Sequence, residues 1–179
     1  MRAPFKLNAF ALFLIKACAL YLVLFLLHQF VVRRYTYYDQ KFISLILNHA
    51  EALLRFLGFA TFKVLQDRDM QVMGIDGSNG VWVGSNCNAI SLFSLFSVFV
   101  LAYPGAWRHK AWFIPLGILA IHLINVLRVA ALAIIAKWDY TWLDFNHTYT
   151  FTLLVYGFIF GLWMVWVKRF GTVSNHNNP

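Results

Sequence analysis

Charge is what this sequence has least of. Only 12% of its residues are charged, and seven acidic side chains face fifteen lysines and arginines. With 61% hydrophobic residues and a mean hydropathy of +0.65, too little polar surface remains to cover a globule in water, which excludes a soluble domain. The expectation is a single integral membrane domain over residues 1–179. The net charge of +8 does not imply a nucleic-acid partner. No basic stretch is longer than Arg33-Arg34 or Arg108-His109-Lys110, and both flank apolar runs, where membrane anchoring explains them.

Several chemical signatures are missing as well. There is no HExxH pair for zinc, no GxSxG elbow, no GxGxxG turn and no acidic cluster for hard cations, so neither a metal nor an organic cofactor is expected. Ser85 lacks the flanking residues of an intramembrane serine protease. The basic start (Arg2, Lys6) and the apolar stretch 9–32 resemble a signal peptide. About 24 residues is too long for an h-region, however, and no small-x-small cleavage site follows, so a retained anchor is expected. Cys18 falls near the middle of that stretch and Cys87 at the edge of another, a separation that argues against a disulfide between them. No internal repeat is evident.

What is present is a set of four apolar runs able to cross, or nearly cross, a hydrocarbon core of about 30 Å: 9–32, 88–103, 111–136 and 148–167. The expected fold is therefore an all-α polytopic membrane protein of about four transmembrane helices, with an outer amphipathic helix and a small β-hairpin region. Placing the N-terminus in the cytoplasm puts Arg2, Lys6, Arg108, Lys110, Lys168 and Arg169 inside. The outer segment 33–86 then carries six basic and five acidic residues, and 137–147 one base and two acids, a bias that fits the positive-inside rule.

Within that outer segment, Ser44, Asn48, Glu51 and Arg55 recur along one helix face, with Phe42, Ile46, Leu53, Leu54 and Leu57 elsewhere, and Glu51 and Arg55 are spaced to pair at i, i+4. Two charges near the centre of a span would each cost roughly 2.5–3.5 kcal/mol, so this helix is expected to lie on the outer leaflet rather than cross. Short β-prone pieces separated by turn residues follow, Phe62 to Gln66, Met70 to Ile75 and Val81 to Val83, and predict one or two hairpins. Residues 172–179 read as a disordered tail. The aromatic residues need no cofactor, since belts of Trp and Tyr at both interfaces account for them.

Three residues stand out chemically. Cys87, in Gly84-Ser85-Asn86-Cys87-Asn88-Ala89-Ile90, marks a strand-to-helix transition. There the first backbone N–H groups and the helix dipole favour a thiolate and an oxyanion. Arg128 lies in an otherwise apolar run, roughly 12 Å below its outer end, and a charge at that depth needs a partner or a water-filled cavity. Snorkelling to headgroups is the competing reading. Asn125, one turn earlier, is placed to orient the guanidinium. His147 closes the outer loop at the level of Cys87, where a thiol needs a general base. His28 and His49 are also outward, His109 is cytoplasmic, and His122, deeper, reads as a satisfied core histidine.

In order and spacing, Cys87-Asn88-Ala89-Ile90, the Asn125-x-x-Arg128 motif and His147 after a short outer loop resemble the exosortase and archaeosortase membrane transpeptidases. The resemblance covers roughly residues 45–167. It departs from the family in one place: the usual small polar residue and glycine after the cysteine are here Asn88 and Ala89. The resemblance implies a cysteine protease of the bacterial inner membrane with its site facing the periplasm or exterior. Its partners would be membrane-anchored proteins ending in a short motif, a transmembrane helix and a basic tail, cut near the motif and passed to an unidentified acceptor. It implies Cys87 as nucleophile, Arg128 as stabiliser of thiolate or oxyanion, and His147 as general base and acid, with Asn125, Asn86 and Asn88 in support.

Two other readings fit the same residues. In a noncatalytic subunit of a secretion or polysaccharide assembly system, Arg128 would merely pair with a partner helix. In a small transporter, Arg128, Asn125 and His122 would line a pathway, although the repeats and interrupted helices usual in transporters are not visible.

Overall fold

The computed structural model of the chain describes residues 9–27, 30, 36–67, 70–84 and 89–171. Asn86, Cys87, Asn88, His28 and the expected tail 172–179 lie outside these residues. The described protein is mostly helical. Its elements run α1 (Ala9–Leu27), α2 (Thr36–Phe56), β1 (Thr61–Asp67), β2 (Met70–Ile75), β3 (Val81–Gly84), α3 (Ile90–Ala102) and α4 (Trp107–Trp138). A 3-10 turn (Tyr140–Trp142), the short α5 (Leu143–Phe145), a π-helical turn (Asn146–Thr150) and α6 (Phe151–Arg169) complete the chain.

Two helical stretches are long and apolar enough to cross a membrane, α4 and the continuous stretch Tyr140–Arg169, while α1 and α3 are shorter apolar helices. Beside α1, Phe13 sets its ring edge-on to Phe99 and Tyr103 at 5.6 and 5.7 Å, so the start of α1 meets the end of α3. Tyr103 turns extended ahead of Pro104, which cannot continue a helix.

The sequence places Arg108 and Lys110 in a loop before a run starting at 111, yet α4 already begins at Trp107. The cause is Lys110, which is 5% exposed and donates to the carbonyls of Leu101 (2.8 Å) and Tyr103 (2.9 Å). A helix leaves its last carbonyls without partners, and this cation supplies them for α3. At the same end a backbone bridge joins Gly105 to Gly171 and closes the start of α4 onto the end of α6. Trp166, fully buried, fills the space between Phe113 and Phe170. Higher in this inner core Gly117 lets the Phe96 ring lie against the α4 backbone, where any Cβ would overlap it.

The second core is built by α2, the sheet and the later half of α4. The sheet is three-stranded and antiparallel in the order β1-β2-β3, two successive hairpins. Ile43, Ile46, Leu47, Ala50 and Leu54 of α2 are all fully buried against Met73, Ile75, Val81 and Val83 of the sheet and Val126 to Ala136 of α4. Each fully buried Ile or Leu is worth about 1.5–3 kcal/mol. The apolar face of α2 is thus occupied by protein, where the sequence had suggested a leaflet. Its polar row is bonded to the same sheet. Gln71 donates to Ser44 Oγ (2.7 Å), Lys63 donates to Asn48 Oδ1 (2.7 Å) and pairs with Glu51, and Arg55 pairs with Glu51 at 2.8 Å and donates to Thr61.

Candidate active site

The later half of α4 and the entry to α6 carry the described candidate residues Asn125, Arg128 and His147. Asn125 and Arg128 sit one turn apart on α4. Asn125 is 1% exposed and partnered, as a buried amide must be. Arg128 is half-buried and lies within electrostatic reach of His147, which Asp144 influences in the opposite sense.

The loop between α4 and α6 explains how His147 gets there. Asp139 accepts bonds from the Thr141 amide (3.0 Å) and hydroxyl (2.6 Å), turning the chain directly after α4. Asn146 donates to the Trp142 carbonyl at 2.9 Å. His147 then falls in the π-helical turn Asn146–Thr150, whose wider winding leaves its carbonyl to the Thr152 hydroxyl at 3.3 Å. Such turns disturb the regular ladder and often occur at functional sites.

On the other side of the site, α3 starts at Ile90 after Ala89, which is 5% exposed and holds φ 61°, ψ 3°. Ala89 is the only non-glycine with positive φ among the described residues. Left-handed backbone costs an L-residue roughly 1–2 kcal/mol, and glycine is the residue that takes it freely. The position where the resemblance expects glycine is thus held in a glycine-type conformation by alanine. Cys87 precedes it by two residues, and neither its thiol nor the flanking Asn86 and Asn88 falls within the described part of the chain.

Two features were not legible in the sequence. His49 Nδ1 and His122 Nε2 lie 3.0 Å apart, joining α2 to α4, so His122 is a satisfied histidine whose partner is 73 positions away. Asp144 beside His147 was read only as a loop charge. Its place one helical turn before His147 was the available signal. Among the described residues no three His, Cys, Asp or Glu side chains converge as metal ligands would.

Apolar helices, two of them long enough to cross a membrane, joined to a small antiparallel sheet describe a mostly helical membrane protein. The family model of transmembrane exosortase, of the EpsH type, matches residues 7–168, and the chain belongs to that family. Its members are membrane cysteine transpeptidases that process sorting signals. No curated protein and no solved structure matches the chain.

Proposed function

We propose that this protein cleaves the C-terminal sorting signal of exported, membrane-anchored proteins and transfers them to an acceptor through Cys87, Arg128 and His147. The observation that carries the reading is the family match over residues 7–168, and His147, within electrostatic reach of Arg128, supports it. The αL residue two positions after Cys87 adds to it, because strained backbone concentrates at working sites.

The Cys87 thiolate attacks the carbonyl carbon of the scissile peptide, and the resulting oxyanion is met by the Arg128 guanidinium. Collapse breaks the C–N bond, the leaving amine takes a proton from His147, and a thioester remains on Cys87. An incoming amine or water then gives its proton back to His147, attacks the thioester and releases the thiolate. Asn125 orients Arg128, while Asn86 and Asn88 flank the nucleophile. No metal or organic cofactor enters these steps.

The topology belongs to the same proposal. Four helices, α1, α3, α4 and α6, cross the bacterial inner membrane, the N-terminus is cytoplasmic, and the segment 33–86 and the site face the periplasm or exterior. The positive charges beside the Gly105 to Gly171 bridge, Arg108, Lys110, Lys168 and Arg169, support this orientation.

The test is Cys87→Ala, which should leave exported substrates at full length with the C-terminal helix intact by mass spectrometry. Cys18→Ala, which changes an exposed free thiol on α1, should process them normally. Equal processing by both variants would remove the cysteine mechanism.

A further inference from the structure

We propose that the free edge of β3 binds the extended motif of the substrate as an added strand, so that main-chain hydrogen bonds to Trp82 and Gly84 carry the peptide to the site. The inference rests on the function proposed above and concerns how that site receives its substrate.

Strand order leaves β3 with β2 on one side only, and among the described residues nothing pairs with its other edge. Two observations settle which groups point outward. The Asp76 amide donates to the Ala60 carbonyl at 2.9 Å, so in the register of β1 and β2 the main-chain groups of Asp76, Gly74 and Val72 face β1 and those of Met73 and Gln71 face β3. Antiparallel ladders alternate, so Met73 with Val81 and Gln71 with Val83 are the bonded pairs. Burial agrees with this. Val81 and Val83 are 5% and 1% exposed, and their buried amides and carbonyls need the ladder, whereas Trp82 is 48% exposed. The N–H and C=O groups of Trp82 and Gly84 therefore face away from β2.

Proteins normally blunt such an edge with lysine, proline or an inward charge, and β1 at the opposite edge carries Lys63. Val81-Trp82-Val83-Gly84 has none of these devices. Its direction supplies the rest. The turn before β3 is held at the end of α4, where Lys137 donates to the Asp76 carbonyl at 2.6 Å, and β3 runs from there toward the start of α3. Three further residues reach Cys87, a span of at most roughly 10 Å. A peptide awaiting cleavage must be extended with its main chain exposed, and an open strand edge satisfies that backbone while alternate side chains give specificity.

The probe is a synthetic peptide carrying the C-terminal motif, apolar helix and basic tail of an exported protein from the same cell, bound to the full-length Cys87→Ala protein in detergent. Single backbone N-methyl groups are moved along the motif. Dissociation constants should rise about tenfold at every second residue and little between, the period of two that strand addition imposes. A photo-cross-linker in the motif should mark Val81–Gly84. Loss without alternation, insensitivity to N-methylation, failure of the unmodified peptide to bind, or cross-linking to β1 would each overturn the proposal. Cleavage of the unmodified peptide by the native protein is read separately. Alternating binding without cleavage would retain the docking edge and reject the chemistry.

Discussion

His49 Nδ1 stands 3.0 Å from His122 Nε2, and this contact ties α2 to the middle of α4. One ring must donate and the other accept, so the pair is complete only while at least one imidazole is neutral. Removing one partner leaves the other without its bond. His122→Phe is expected to lower stability by about 1 kcal/mol, and the double variant with His49→Leu should recover most of that loss. Thermal unfolding in detergent reads both. Full stability combined with lost processing would instead give His122 a chemical role.

Ala89 offers a test of backbone strain beside the proposed nucleophile. Ala89→Gly removes the left-handed penalty but also a buried methyl group and adds freedom to the unfolded chain, so stability should stay within about 1 kcal/mol of the parent and processing should persist. A β-branched residue is far less tolerant of positive φ, so Ala89→Val should lower the melting temperature clearly. Indifference to valine would mean that the turn does not hold this conformation.

The link between α2 and the sheet should respond to acid. Lys63, bonded to the Glu51 carboxylate, with Arg55 and Thr61 also in contact, holds that carboxyl below its ordinary value. A group whose folded value is depressed stabilises the protein above its unfolded value, about 4.3, and loses that contribution as pH falls through the folded one. Melting temperatures of the native protein and Glu51→Gln should therefore differ at about pH 6 and converge at about pH 3. A constant gap across that window would contradict the pairing.

Arg128 can be asked whether charge alone suffices. An anchor that snorkels needs only a cation on a flexible stem, so Arg128→Lys would be harmless. A planar fork aimed at an oxyanion is not replaced by an ammonium. Arg128→Lys is expected to accumulate normally and to process substrate at least about tenfold more slowly. Near-normal turnover would refute the catalytic role.

Orientation has its own measurement. A membrane-impermeant thiol reagent applied to intact cells should label a cysteine placed at Ser78 and spare one placed at Ala106. The reverse pattern would invert the molecule.

Composition and run length made the apolar helices legible, since a span needs only length and freedom from charge. They also exposed Arg128 and Asn125, as polar residues in apolar surroundings. The start of α4 was misplaced because Lys110 looks like a loop cation until the carbonyls it caps are seen. The helical periodicity of α2 was equally clear, but a pattern shows that a face is apolar and not what covers it. The same limit hid the His49 and His122 contact, which depends on how two helices meet. At Ala89 the residue type itself misleads, since alanine has no preference for positive φ and only its neighbours in the fold impose it.

The glycine at 117 has a consequence for register. Because the Phe96 ring occupies the place of its missing side chain, α3 is pinned against α4 at one height, as a detent pins a sliding rod. A slip of one helical turn would carry the ring onto a residue with a Cβ and move the start of α3 by about 5.4 Å along α4. The register of α3 on α4 is thus set by an atom that is not there.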